Sequence, residues 1–151
     1  MKRTHLLGDV SVAGTHDLKV RSSAYDLSCE VVWDPASPPA NLGLEVCRAP
    51  GGRRHVAAGA FLSGPFTYVN RRPTINPTAG ETQTPMDPSA GRLTIRILVD
   101  RTSVEMFIGG DGRVVHSHRV FPLEGDDGIR LYAHEGAATF QDLTIRELKV
   151  V

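Results

Sequence analysis

Neither sign of charge is in excess: seventeen Lys+Arg meet seventeen Asp+Glu, for a formal net charge of zero. Binding to nucleic-acid phosphates or to an anionic membrane surface normally draws on a basic excess, so neither is expected. No apolar run approaches the roughly 20 residues a membrane-spanning helix needs. Cysteine is scarce. Cys29 and Cys47 are the only two, too few for the disulfide framework of a small secreted domain. They pair if adjacent strands carry them face to face, and otherwise sit as two buried thiols. With no Cys-x-x-Cys pair, a thiolate zinc site has no basis. The first nine residues carry a charged head with no apolar core behind it, so no signal peptide is expected, and the chain reads as cytosolic or as a piece of a longer secreted protein. Capped helical stripes, internal repeats, a Gly-rich phosphate loop, an HExxH pair and a nucleophile elbow are all missing.

What is present is period-two alternation. Tyr25, Leu27, Cys29, Val31 and Trp33 share one strand face, opposite Asp26, Ser28 and Glu30. Leu93, Ile95, Ile97 and Val99 repeat the pattern, as do Ile129, Leu131 and Ala133. A last strand begins at Leu143 and Ile145, and its phase slips near Glu147, which predicts a bulge there. Between the runs fall Asp34-Pro35, Ser37-Pro38-Pro39, Gly51-Gly52, Gly109 to Gly112 and Gly125 to Gly128, all turn signals. Arg72 to Gly91 holds four prolines and reads as an extended loop. Hydrophobic residues make up 40% of 151, enough for one packed core. The expected fold is all-β: one domain over residues 1–151, a two-sheet antiparallel sandwich of jelly-roll or galectin-like type, with residues 1–24 as N-terminal strands.

Few residue constellations suggest chemistry. His116 and His118, two apart on a strand, point the same way, either as a metal pair or as solvent-facing histidines on an edge strand. Asp126 and Asp127 offer oxygens to calcium but lack an Asp-x-Asp ladder, so a turn is expected; a structural calcium is left open and no other cofactor or metal is expected. The densest stretch is Arg92 to Gly112, read as a strand through Val99, a polar break at Asp100 to Ser103, and a strand from Val104 to Ile108. Asp100, Arg101 and Glu105 gather at that break. Either Asp100 caps the turn while Arg101 pairs with Glu105, or the three bind a polyol, whose hydroxyls want acceptors and a forked donor.

The run Val99 to Phe107, Val-Asp-Arg-Thr-Ser-Val-Glu-Met-Phe, resembles the Val-Asp-Arg-Ser-Ser-Val-Glu-Val-Phe signature of the C-terminal sandwich of glycoside hydrolase family 32 (levanases, inulinases, invertases). It is also similar to carbohydrate-binding module family 66. Tyr68-Val-Asn-Arg-Arg72, Arg119-Val-Phe-Pro122, Leu131-Tyr-Ala133 and the run from Asp142 to Leu148 resemble further family segments in order, so the likeness spans about Tyr25 to Lys149. Two positions depart: Asn70 stands where the family has Asp, and Pro73 falls where a Ser usually closes that segment. The family's catalytic Asn-Asp-Pro, Arg-Asp-Pro and Glu-Cys motifs belong to a separate propeller. Here Trp33-Asp34-Pro35 lacks the Asn and Cys29-Glu30 runs in reverse order, so the resemblance implies a chain that hydrolyses nothing itself.

The resemblance thus implies a fructan-binding module, extracellular and monomeric, accessory to a fructan hydrolase and recognising fructose or terminal fructosyl units of levan. Asp100, Arg101 and Glu105 would hydrogen-bond the sugar, Arg71 would add a donor from the neighbouring loop, Tyr132 would supply an apolar platform, and Glu30 is a further candidate on its strand's polar face. The alternative is a sandwich that only packs on a catalytic propeller, which predicts an exposed apolar patch. A third class, protein interaction through the Arg72–Gly91 loop, rests on loop length alone.

Overall fold

The computed structural model describes residues 3–71, 81–109 and 114–148. Ten strands follow one another: β1 (Arg3–Asp17), β2 (Tyr25–Val32), β3 (Asn41–Arg48), β4 (Val56–Phe61), β5 (Phe66–Asn70), β6 (Glu81–Pro85), β7 (Arg92–Val99), β8 (Ser103–Ile108), β9 (Val114–Arg119) and β10 (Gly128–Glu147). Two single 3-10 turns, Pro50–Gly52 and Pro88–Ala90, are the remaining regular structure among the described residues. The alternation delivers what it predicts: Tyr25, Leu27, Cys29 and Val31 of β2 face the core, as do Leu93, Ile95, Ile97 and Val99 of β7. Each such side chain adds roughly 1.5–3 kcal/mol of apolar burial.

The strands join in the order β6-β5-β4-β3-β10-β2-β7-β8-β9, all antiparallel, with β1 along the other edge of β10. β10 is the shared member. Its first half pairs β3 (Gly128 with Arg48, His134 with Asn41), and its second half pairs β2 (Thr139 with Val32, Glu147 with Tyr25). The strand turns from one sheet to the other between those halves, where Glu135 takes a left-handed φ of 59°. Two packed sheets result, one of β6-β5-β4-β3 and the start of β10, the other of the end of β10 with β2-β7-β8-β9.

The far edges also meet. The Thr82 hydroxyl of β6 lies 2.7 Å from Nδ1 of His116 and 2.8 Å from Nε2 of His118, and Thr67 of β5 lies 3.0 Å from Nε2 of His116. One hydroxyl proton serves Thr82, so it donates to one ring and accepts from the other. Both histidines are buried, and burial holds their basicity below the ordinary imidazole value, with Arg71 adding to the effect at His118. They are therefore not solvent-facing: β9 is an edge in hydrogen bonding but is covered by the opposite sheet.

Other expectations need correcting. Arg72–Gly91 is not one loop, since β6 occupies Glu81–Pro85; residues 72–80, including Pro73, lie outside the described residues. The turn at Gly109 to Gly112 is described only at Gly109. Ile129–Ala133 and Leu143–Ile145 are one strand, and its bulge sits at Asp142 (φ 52°), where pairing with β2 skips from Gln141 to Thr144. Asp126 does build a turn: it accepts from the Leu123 amide and is held by Arg54 through two bonds of 2.8 and 3.1 Å. Cys29 and Cys47 are free and buried, and burial pushes both thiols up to about 12.

Candidate functional site

The outer face of the first sheet is hollow, and strand register explains why. Tyr132 of β10 pairs with Gly43 of β3, Gly43 with Gly59 of β4, and Gly59 with Tyr68 of β5. Two glycines thus sit between two tyrosines in one row across four strands. The tyrosines lean inward over the glycines until their hydroxyls hydrogen-bond to each other. A Cβ at Gly43 would lie 2.8 Å from the Tyr132 hydroxyl and 2.4 Å from the Ala58 carbonyl oxygen; one at Gly59 would lie 2.0 Å from the Leu42 carbonyl oxygen. Glycine inside a strand commonly marks such close approach.

The row on one side is polar, running from Arg130 through Glu45, Ala57 and Asn70 to Glu81; on the other side it is largely aromatic, His134, Asn41, Phe61, Phe66 and Pro85. Small residues along the middle and larger ones on both flanks leave an open cleft of about 320 Å³ over the tyrosine floor. Phe61 and Phe66 tilt together with ring centroids 5.5 Å apart, and His134 stacks on Tyr132 at 5.2 Å and 18°.

Hydrogen bonding fixes the polar groups. The Tyr68 hydroxyl donates to Asn41 Oδ1 at 2.6 Å. Glu45 Oε1 accepts from Arg48 Nε at 2.9 Å, and Glu81 Oε1 accepts from Asn70 Nδ2 at 3.0 Å. His55 Nδ1 lies 3.0 Å from the Gly52 carbonyl oxygen and must donate to it, which makes Nε2 the acceptor of the neutral ring. Burial pushes the Tyr68 phenol up to about 12 and raises that of Tyr132 well above its usual value, so both stay protonated at any physiological pH. Carboxylates, amides and imidazoles around an aromatic floor form a surface of mixed donors and acceptors suited to a neutral polyol, whose hydroxyls both give and take protons.

The residues singled out from sequence divide. Tyr132 forms part of the cleft floor, although it is buried rather than spread over the surface as a platform. Arg71 follows Asn70 but does not line the cleft: it donates to the Arg119 carbonyl on the opposite sheet. Asp100 builds its turn: Oδ1 accepts from the Thr102 and Ser103 amides at 2.8 and 2.9 Å and from the Ser103 hydroxyl at 3.1 Å. Those bonds, the Thr102 amide first, hold its carboxyl below the usual range. Arg101 is exposed and borders a separate depression with Ser23, Pro122 and Leu123. Glu105 lies on the outer face of β8 between Leu98 and Ser117, and among the described residues no ion pair joins it to Arg101. Glu30, on the outer face of β2, stands 3.8 Å from Arg92.

Asn41, Glu45, His55 and Glu81 escaped the sequence reading. Their signal was the pair of glycines at strand centres, Leu42-Gly43-Leu44 and Ala58-Gly59-Ala60. Asn70, the departure from Asp, also finds its reason: its amide faces the Glu81 carboxylate, where an Asp would set two like charges together.

The family model described as Glycosyl hydrolases family 32 C terminal matches residues 1–147. A levanbiose-producing levanase of Bacillus subtilis (strain 168) is 34% identical over 147 residues, which is 95% of this chain and 28% of that protein. A levanase of Bacillus sp. (strain L7) is 30% identical over 139 residues, 86% of this chain and 14% of its own length. The chain therefore spans less than a third of these relatives. Among solved structures, exo-inulinase from Aspergillus awamori superposes with a TM-score of 0.78 over 98% of this chain and 29% of that one, at 18% identity. Fructan 1-exohydrolase IIa from Cichorium intybus does so with a TM-score of 0.73 over 98% and 36%, at 13% identity. These two likenesses speak for the shared fold.

Proposed function

Because the chain belongs to the family of glycosyl hydrolase family 32 C-terminal domains, we propose that it is a non-catalytic accessory module that binds fructosyl units of levan or a related fructan. The site is the cleft of the first sheet. The observation that carries this reading is the Tyr132-Gly43-Gly59-Tyr68 row, which spends two strand positions on glycine and so opens a hollow lined with hydrogen-bonding groups. Glu45, Glu81 and the His55 ring accept from sugar hydroxyls, Asn41 donates, and the Phe61–Phe66 pair takes the apolar face of the ring. Tyr132 underlies this site as its floor without contacting the sugar, Arg71 reaches the opposite sheet at Arg119 rather than the cleft, and Asp100 holds its own turn. Its partner in the longer protein is the catalytic domain, and the setting is extracellular, as levan itself is too large to enter a cell.

A second reading rests on one observation. Phe121 and Leu123, 46% and 47% exposed, flank Pro122 beside Arg101. Such a patch suits docking on the catalytic domain, in which case the module is structural. Calorimetric titration of the chain with levan, inulin and fructose separates the two. Saturable heat lost in Glu81→Ala supports the binding module, whereas no heat up to about millimolar ligand leaves the structural role.

A further inference from the structure

The Tyr132–Tyr68–Asn41 hydroxyl chain has a direction, and that direction decides what the cleft offers a ligand. Each phenol has a single proton. Tyr68 spends its proton on Asn41 Oδ1. The bond between the two phenols must then be donated by Tyr132, with the Tyr68 oxygen accepting. Asn41 thereby has its carbonyl drawn down to the floor, and its Nδ2 group forms no hydrogen bond to any described residue while Asn41 borders the cleft. Reversing the chain would leave the buried Tyr132 proton with no acceptor among the described residues, which fixes the direction.

We infer that the tyrosine chain locks the Asn41 amide with its NH2 group toward the cleft, making Asn41 the donor that selects a ligand hydroxyl oxygen. Tyr68 is the positioning residue; Tyr132 orients Tyr68 and does not touch the ligand. The inference rests on the cleft being the fructan site, and it adds which atom of the floor reads the sugar. It also orders two near-identical substitutions. Tyr68→Phe frees Asn41 to turn over and present its carbonyl to the cleft. Tyr132→Phe leaves the Tyr68-to-Asn41 bond in place.

The test is titration of the 15N-labelled chain with levantriose, following the Asn41 side-chain amide signals together with those of Glu81 and His134. The affinities of wild type, Tyr68→Phe and Tyr132→Phe are measured alongside. We expect the Asn41 amide pair to move with saturation, Tyr68→Phe to weaken binding at least tenfold, and Tyr132→Phe to weaken it less than threefold. Tyr68 makes two hydrogen bonds and Tyr132 one, so a purely structural effect is read separately, in each variant's melting temperature, and does not move the Asn41 amide signals with ligand. The inference is overturned if the Asn41 amide stays still while Glu81 and His134 shift, or if the two variants lose equally. If no cleft signal moves at all, the cleft reading itself falls, and this inference with it.

Discussion

Lowering the pH from 7.5 to 5.5 should weaken the fold through the histidines that close its far edges. His116 and His118 are buried against Thr67 and Thr82, and both ring nitrogens of His116 lie within hydrogen-bond reach of a hydroxyl there. Arg71 approaches His118 from the end of β5, and the two rings oppose each other's charge. Burial, the leading cause, holds both rings below 6.5 in the folded chain. The sign follows from linkage: above about pH 6.5 neither state takes up a proton, and below it the unfolded chain binds protons that the folded seam refuses. Stability is thus fully present above the unfolded value and falls as the pH drops through it. At pH 5.5 each ring costs up to about 1.4 kcal/mol, about 2.8 kcal/mol for the pair, against a total of roughly 5–15 kcal/mol for a typical domain. Asp17, Asp100 and Asp126 all have carboxyls held below 3.8, so their losses come at lower pH and do not enter this window. Guanidinium unfolding midpoints at pH 7.5, 6.5 and 5.5 provide the assay, repeated on His116→Asn with His118→Gln. A flat or rising wild-type midpoint on acidification, or an equal slope in the double variant, refutes the reasoning.

Gly59→Ala places a methyl 2.0 Å from the Leu42 carbonyl oxygen, so paired strands must part. Overpacking of this kind costs about 1–3 kcal/mol, and the melting temperature should fall by roughly 2–4 °C for each; an unchanged melting curve would show that the cleft floor yields freely. Asp100→Ala removes the acceptor of four turn bonds and should cost on the order of 1 kcal/mol, seen as a lower melting temperature with fructan affinity unchanged. A change in affinity with no change in melting would instead return Asp100 to the sugar. Arg101→Ala, at an exposed side chain outside the cleft, should leave both properties within about 0.5 kcal/mol; loss of binding there would move the site to the turn.

Much of the fold was legible because long alternating runs of β-branched and leucine residues admit one secondary structure. The runs at Tyr25–Val31 and Leu93–Val99 point their apolar set inward at every predicted position. β4 was invisible for the opposite reason: Ala57-Ala58-Gly59-Ala60 offers almost no contrast between its faces. The unity of β10 was hidden by the polar Glu135-Gly136 bend, where the strand changes sheets without ending. The site was less legible still. The signature around Asp100 marks a turn that its own carboxylate ties together, and local spacing cannot separate that from sugar binding. The cleft joins residues as distant as Asn41, Glu81 and His134, and only strand register brings them together. The histidine pair looked peripheral because β9 is an edge strand, and its burial comes from the opposing sheet.

The most direct measurement is a crystal structure of the chain with levantriose bound. A fructosyl ring is expected in the cleft, its hydroxyls on Asn41, Glu45 or Glu81 and its apolar face toward Phe61 and Phe66. A ring seated instead against Arg101 and Leu123, or crystals that hold no sugar where solution binding is saturated, would contradict it.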